Sequence, residues 1–202
     1  VTVLDAVAAS APGNQEVMIA CAEVVVNSCL RVPPDPVGVI VFAHGSGTDR
    51  HSPRHRYMGE LLARHGFASL TVDVLTPAEA GRPDSLFDVE LLGDRLIEVR
   101  GWLHAVPALR ELPTGLLGTG SDAPAALWAA GELGAMVGAV VVRGARPDLA
   151  GARLTRITAP TLFLVGGLDR RVLAHNQCAA ELMRSEHRLT RLMSPGRSPL
   201  DS

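Results

Sequence analysis

Val37-Gly38-Val39-Ile40-Val41-Phe42-Ala43-His44-Gly45-Ser46-Gly47 joins an uncharged, β-branched run to a glycine-rich turn. A run of this length, apolar at almost every position, predicts a strand over Val37–Ala43 that is buried on both faces. The turn that follows can fold back sharply because its glycines tolerate unusual backbone angles. The same pairing of apolar run and small-residue turn recurs downstream. Ala68–Val74, Gly115–Leu117, Val137–Val142, Thr161–Val165 and His187–Met193 all read as strands.

Helical spacing fills the intervals. Arg56–His65 places Met58, Leu61 and Leu62 on one face, and Asp88–Val106 repeats Val89, Leu92, Leu96, Val99 and Leu103 at steps of three and four. Ala123–Leu133 and Val172–Arg184 complete the set. Strands separated by helices of this length need crossover connections, which make a parallel sheet with helices on both faces. Glu16–Ile19 and Val24–Leu30 precede the alternation and predict an antiparallel edge. Residues 1–15 lack a pattern and are expected to form a flexible segment ahead of one domain over 16–202.

Composition narrows the function. The 202 residues are 47% hydrophobic and 20% charged, which argues against a disordered chain. A formal net charge of -2 and 3% aromatics leave neither the basic field nor the stacking platforms of a nucleic-acid binder. No uncharged apolar run is long enough for a membrane helix, and no basic leader precedes the first residues. A cytoplasmic location is therefore expected. All 19 basic residues are arginine, which excludes mechanisms built on a catalytic lysine and suggests a GC-rich, bacterial coding bias. Cys21, Cys29 and Cys178 are odd in number and lack C-x-x-C spacing, so buried free thiols are expected and a zinc ribbon is not. No cofactor is implied.

Four segments at predicted strand ends can carry chemistry. The His44–Gly47 turn can present backbone N–H groups to an oxyanion. The loop Arg50-His51-Ser52-Pro53-Arg54-His55-Arg56 can hold an anion through Arg50, His51, Arg54 and Arg56, or can simply pair with surface acids. His51 and His55 have the spacing of a helical metal pair, but Pro53 between them argues against continuous helix and so against a metal site. Gly118-Thr119-Gly120-Ser121-Asp122 lies between a strand and a helix, where a nucleophile elbow would stand, yet no serine sits between its glycines. Asp169, after the strand Thr161–Val165, can orient a catalytic histidine or cap the next helix.

In combination these segments resemble the dienelactone hydrolase-like branch of the α/β-hydrolases. The resemblance rests on Val41–Gly47, Arg50–Arg54, Arg146-Pro147-Asp148-Leu149-Ala150-Gly151 and Ala159–Asp169, and covers about Glu16 to Gly196. It implies a nucleophile, a histidine, an acid and an oxyanion hole. Carried over residue by residue, the acid falls on Asp169, the nucleophile on Gly120 and the histidine on Pro199. Glycine cannot attack and proline cannot act as a base. Asp122 also replaces a small glycine of the elbow. Ser121 stands one position late; its backbone N–H, with one from the Ser46 region, would form the oxyanion hole. The family's closing C-terminal helix would follow the histidine segment and is not found before Ser202, which would leave an apolar face for an oligomer or a partner.

Three readings follow. The first is a hydrolase fold with lost or weak hydrolase activity. The second is an active esterase or lactonase using Ser121 as nucleophile, with His51 or His55 as base. The third is a binding module for a small anion at the Arg50–Arg56 loop.

Overall fold

The computed structural model describes residues 14–44, 50–144, 146–166 and 169–192. Eight strands form one sheet in the order β1-β2-β4-β3-β5-β6-β7-β8. They are β1 (Asn14–Cys21), β2 (Val24–Arg31), β3 (Gly38–His44), β4 (Phe67–Asp73), β5 (Thr114–Thr119), β6 (Val137–Arg143), β7 (Thr161–Gly166) and β8 (His187–Leu192). β1 and β2 pair antiparallel with each other, and β2 pairs antiparallel with β4. Every other neighbouring pair is parallel. The antiparallel edge and the parallel centre both match the expectation from the chain.

The apolar run beginning at Val37 becomes the central strand. Val41 of β3 stands opposite Leu70 of β4 and Leu116 of β5. Val41, Leu70 and Leu116 are all buried. Burial on both faces explains why the run carries no polar alternation.

Among the described residues four α-helices of more than ten residues cover the sheet: α1 (Pro53–Arg64), α2 (Val89–Ala105), α3 (Ala123–Leu133) and α4 (Arg170–Leu182). In α2 the periodic residues Leu92, Leu96, Val99 and Leu103 are buried, and the Asp88 carboxylate caps the first turn by accepting from the Leu91 N–H. At Gly93, α2 packs tightly against Trp128 of α3. A Cβ there would lie 2.2 Å from Cδ1 of Trp128 and 2.6 Å from its Cγ. Trp128 is also held by the Arg153 guanidinium, stacked 3.4 Å from the ring centroid. Gly93→Ala is therefore expected to cost about 2 kcal/mol through overpacking. A urea midpoint unchanged from wild type would contradict this.

The boundaries differ from the sequence reading in specific ways. β1 begins at Asn14, inside the segment expected to be flexible, because its backbone pairs with Arg31 and the Asn14 side chain accepts from Arg31 Nε at 2.9 Å. Val1–Gly13 lie outside the described residues. α1 begins at Pro53 rather than Arg56, with proline in its first turn and Ser52 as its cap. α4 spans Arg170–Leu182 rather than Val172–Arg184 because Asp169 caps it two residues earlier. Short helical turns at Pro77–Ala80 and Pro83–Leu86, and a 3-10 segment over Pro147–Arg156, fill stretches read as loop.

The thiols are free, but not all are buried. Cys21 stands opposite Val24 and Cys29 opposite Glu16, so the register keeps them apart. Burial and the nearby Glu98 carboxylate push the Cys21 thiol up to about 12. Cys178 is exposed on α4, which corrects the expectation of buried thiols.

Candidate active site

β5 ends at Thr119 and α3 begins at Ala123. The intervening Gly120-Ser121-Asp122 forms one 3-10 turn, so the chain reverses within three residues. Gly120 has φ +61, a left-handed backbone that side-chain-bearing residues adopt only under strain. A strand, a tight turn and a helix in this order form the kind of setting in which an elbow presents a nucleophile. The apex of the turn is thus Gly120, with Ser121 one residue beyond it. A Cβ at Gly120 would meet nothing within 4 Å. A Cβ at Gly118 would instead lie 2.7 Å from the Ala123 Cα and 2.8 Å from the Asp122 carbonyl oxygen. The position two before the apex must therefore be glycine for α3 to start where it does.

Asp122 is 2% exposed, so its carboxyl is accommodated inside the turn. Ser121 is half-buried. It borders a cavity of about 250 Å³ with Gly120, Pro124, Phe87, Val89, Arg146 and Leu149. Arg146 is held by Asp148 through Nε at 2.9 Å and Nη2 at 2.7 Å. That fork keeps the Asp148 carboxyl below its ordinary range, against the opposing effect of its burial.

Asp169 caps α4: its Oδ1 accepts from the N–H groups of Arg171 at 3.1 Å and Val172 at 3.0 Å. Of the two roles open to it in the sequence, capping is the one with a described partner. Ser46 and Pro199 lie outside the described residues.

The loop arginines do not act as one cluster. Arg50 donates to Glu16 at 2.9 Å and to Asp73 at 2.5 Å, tying the loop to β1 and β4. Arg56 donates to the His51 carbonyl at 3.2 Å. Arg54 borders a second cavity of about 430 Å³ with Ser52, His55, Thr119, Arg143 and Phe42. His51 precedes the cap of α1 while His55 lies in its first turn, so the two rings do not share a helix face. His51 Nδ1 is 3.7 Å from Glu16, and His55 Nδ1 is 3.1 Å from Ser52 Oγ. Among the described residues no three histidine, cysteine, aspartate or glutamate side chains converge as a metal site. Among the described residues no helix is long and apolar enough to cross a membrane.

Sequence reasoning missed Arg143, Phe87 and the Arg146–Asp148 fork. Arg143 carries a readable signal: it is a charged residue ending an apolar strand, at the strand end where parallel sheets place their sites. Phe87 has no such signal, since only the tertiary fold brings it beside the elbow.

A crystal structure of dienelactone hydrolase from Anabaena variabilis superposes with a TM-score of 0.84 and 40% sequence identity, covering 90% of this chain and 86% of that one. The chain belongs to the dienelactone hydrolase family. Its fold is shared more widely: Est1E from Butyrivibrio proteoclasticus matches with a TM-score of 0.70 at 13% identity, over 88% of each chain. Two Mycobacterium tuberculosis proteins, from strains CDC 1551 and H37Rv, are 46% identical over 187 residues. Each is named "Putative phosphoribosyl transferase". The match takes in 93% of this chain but spans only 42% of the length of those relatives. No family model matches the chain.

Proposed function

We propose that this dienelactone hydrolase-family chain has lost most or all serine-hydrolase chemistry. The observation that carries the reading is Gly120 at φ +61, at the apex of the turn between β5 and α3. The apex residue is the one an elbow aims at a bound ester, and here it has no side chain. Without a nucleophile, only binding and oxyanion stabilisation remain, which give a residual rate. The proline at position 199, where the family resemblance puts histidine, works in the same direction. Three free thiols agree with a reducing, cytoplasmic compartment. The phosphoribosyl transferase name of the mycobacterial relatives is not carried over, because this chain spans 42% of their length and its own fold is that of a hydrolase.

A fluorophosphonate probe, followed by intact-mass analysis, tests this. Wild type and Ser121→Ala are both expected to stay unmodified. A single adduct on wild type that disappears in Ser121→Ala would overturn the reading and establish an esterase or lactonase acting through Ser121.

A second reading has its own observation. Arg54 and Arg143 border one cavity with His55, at the first turn of a twelve-residue helix. Two guanidiniums and a helix N-terminus favour a carboxylate or phosphate. On this reading the chain binds a small anion whether or not it turns one over. Arg54→Ala is expected to weaken phosphate binding about tenfold, by the loss of one charge-assisted contact. Equal affinity in the variant would remove the proposal.

A further inference from the structure

At the end of the sheet opposite the elbow, a cavity of about 600 Å³ opens between α2 and the segments entering β5 and β6. Ile97, Arg100, Gly101 and His104 border it from one face of α2, since they are separated by three, one and three residues. Leu112 and Pro113 face them from the start of β5, and Leu133 and Met136 from the end of α3. The volume falls in the range of small-molecule sites.

Arg31, Arg50, Arg95, Arg146, Arg153 and Arg156 each hold a carboxylate. Arg100 and Arg110, both bordering the cavity, make no ion pair among the described residues. The Arg100 Nε is enclosed and has no acceptor there. Enclosed donors normally have partners, so one without any marks a place where a partner is missing. His104 Nδ1 lies 3.3 Å from the Arg110 carbonyl oxygen, which fixes the second arginine's backbone against the end of α2. Glu111 is the one acid on the wall. Two arginines against one glutamate leave the cavity positive even with His104 neutral.

We propose that this cavity binds a medium-chain carboxylate. The alkyl chain lies against Ile97, Leu112, Pro113, Leu133 and Met136, and the carboxylate is held by Arg100 and Arg110. Apolar walls without the arginines would accept any chain of suitable length; the arginines without the walls would accept any small anion. Their combination selects a molecule with both parts. The site rests on none of the residues at the elbow, so it stands or falls independently of the hydrolase reading.

Calorimetric titration of the intact chain with octanoate tests the proposal, with octylammonium as the charge-reversed control. Saturable octanoate binding is expected, with octylammonium at least tenfold weaker. Arg100→Gln combined with Arg110→Gln should weaken octanoate at least tenfold. Gly101→Phe should abolish binding by filling the space, since a Cβ at Gly101 meets nothing within 4 Å and the fold should tolerate it. Thermal melting of each variant reports its folding; if Gly101→Phe does not fold, the arginine pair decides alone. No saturable octanoate binding to wild type would overturn the proposal. So would equal binding of octylammonium, or unchanged octanoate affinity in the folded variants.

Discussion

Gly118→Val should leave the chain largely unfolded. The first added carbon would lie 2.7 Å from the Ala123 Cα, 2.8 Å from the Asp122 carbonyl oxygen and 2.9 Å from the Ala126 Cβ. Two of those atoms are backbone, so no rotamer change relieves the overlap. β5 is central in the sheet and α3 is buried along almost its whole length, so neither can retreat. Overpacking at such a site costs about 3 kcal/mol or more, a large share of a domain's net stability. Gly120→Ser, two residues away, is the matched control. Its side chain would stand in open space, and only the left-handed backbone resists it, at about 1–2 kcal/mol. Urea unfolding of both variants checks the contrast. Equal midpoints would mean that the turn relaxes and that its tight start to α3 is not required.

That contrast also explains what the chain made legible. The order of strands and helices followed from local patterns: β-branched runs such as Val37–Ala43 can be buried only inside a sheet, and the four-three spacing of Leu92, Leu96, Val99 and Leu103 only against one. The location of the tight turn between β5 and α3 followed from strand, small-residue turn and helix in sequence. Which residue tops the turn did not. Placing Gly120 there needed the family resemblance, and the backbone angle of +61 is a tertiary fact. The arginine loop was read as a cluster because Arg50, Arg54 and Arg56 are neighbours in sequence. In space Arg50 turns to Asp73 and Glu16 while Arg54 borders a cavity shared with Arg143, and neither placement has a local signature. The capping box Thr76-Pro77-Ala78-Glu79 carries its signature in the sequence, although Pro77 by itself equally suits a break.

Arg95→Ala should cost about 3–5 kcal/mol, the range for removing one partner of a buried ion pair. Arg95 projects from the covered face of α2 and is 5% exposed. Its Nη1 donates to the Val74 carbonyl at 2.7 Å and to Glu79 at 2.8 Å, and its Nη2 donates to Glu79 at 2.6 Å. Glu79 also accepts from the Thr76 N–H and hydroxyl. One guanidinium thus binds the chain leaving β4 to the short turn that leads on to Phe87, a wall of the Ser121 cavity. Without it Glu79 keeps a charge with no cation beside it. Arg95→Lys should recover only part of the loss, because an ammonium cannot span both carboxylate oxygens and a carbonyl with a planar fork. The same pair sets an acid limit. The Arg95 hydrogen bonds, opposed by burial and helped by Thr76, hold Glu79 down to about 2, against an ordinary 4.5. A carboxyl lowered on folding contributes stability that is complete above the ordinary value and is lost as pH falls through the folded one. Wild type should therefore lose stability between about pH 4.5 and 2. In Glu79→Gln that part of the acid slope should vanish while stability at neutral pH is already reduced. Parallel pH profiles for the two proteins would show that the pair does not govern the acid response, and the cost assigned to Arg95→Ala would then have to come from lost packing along α2.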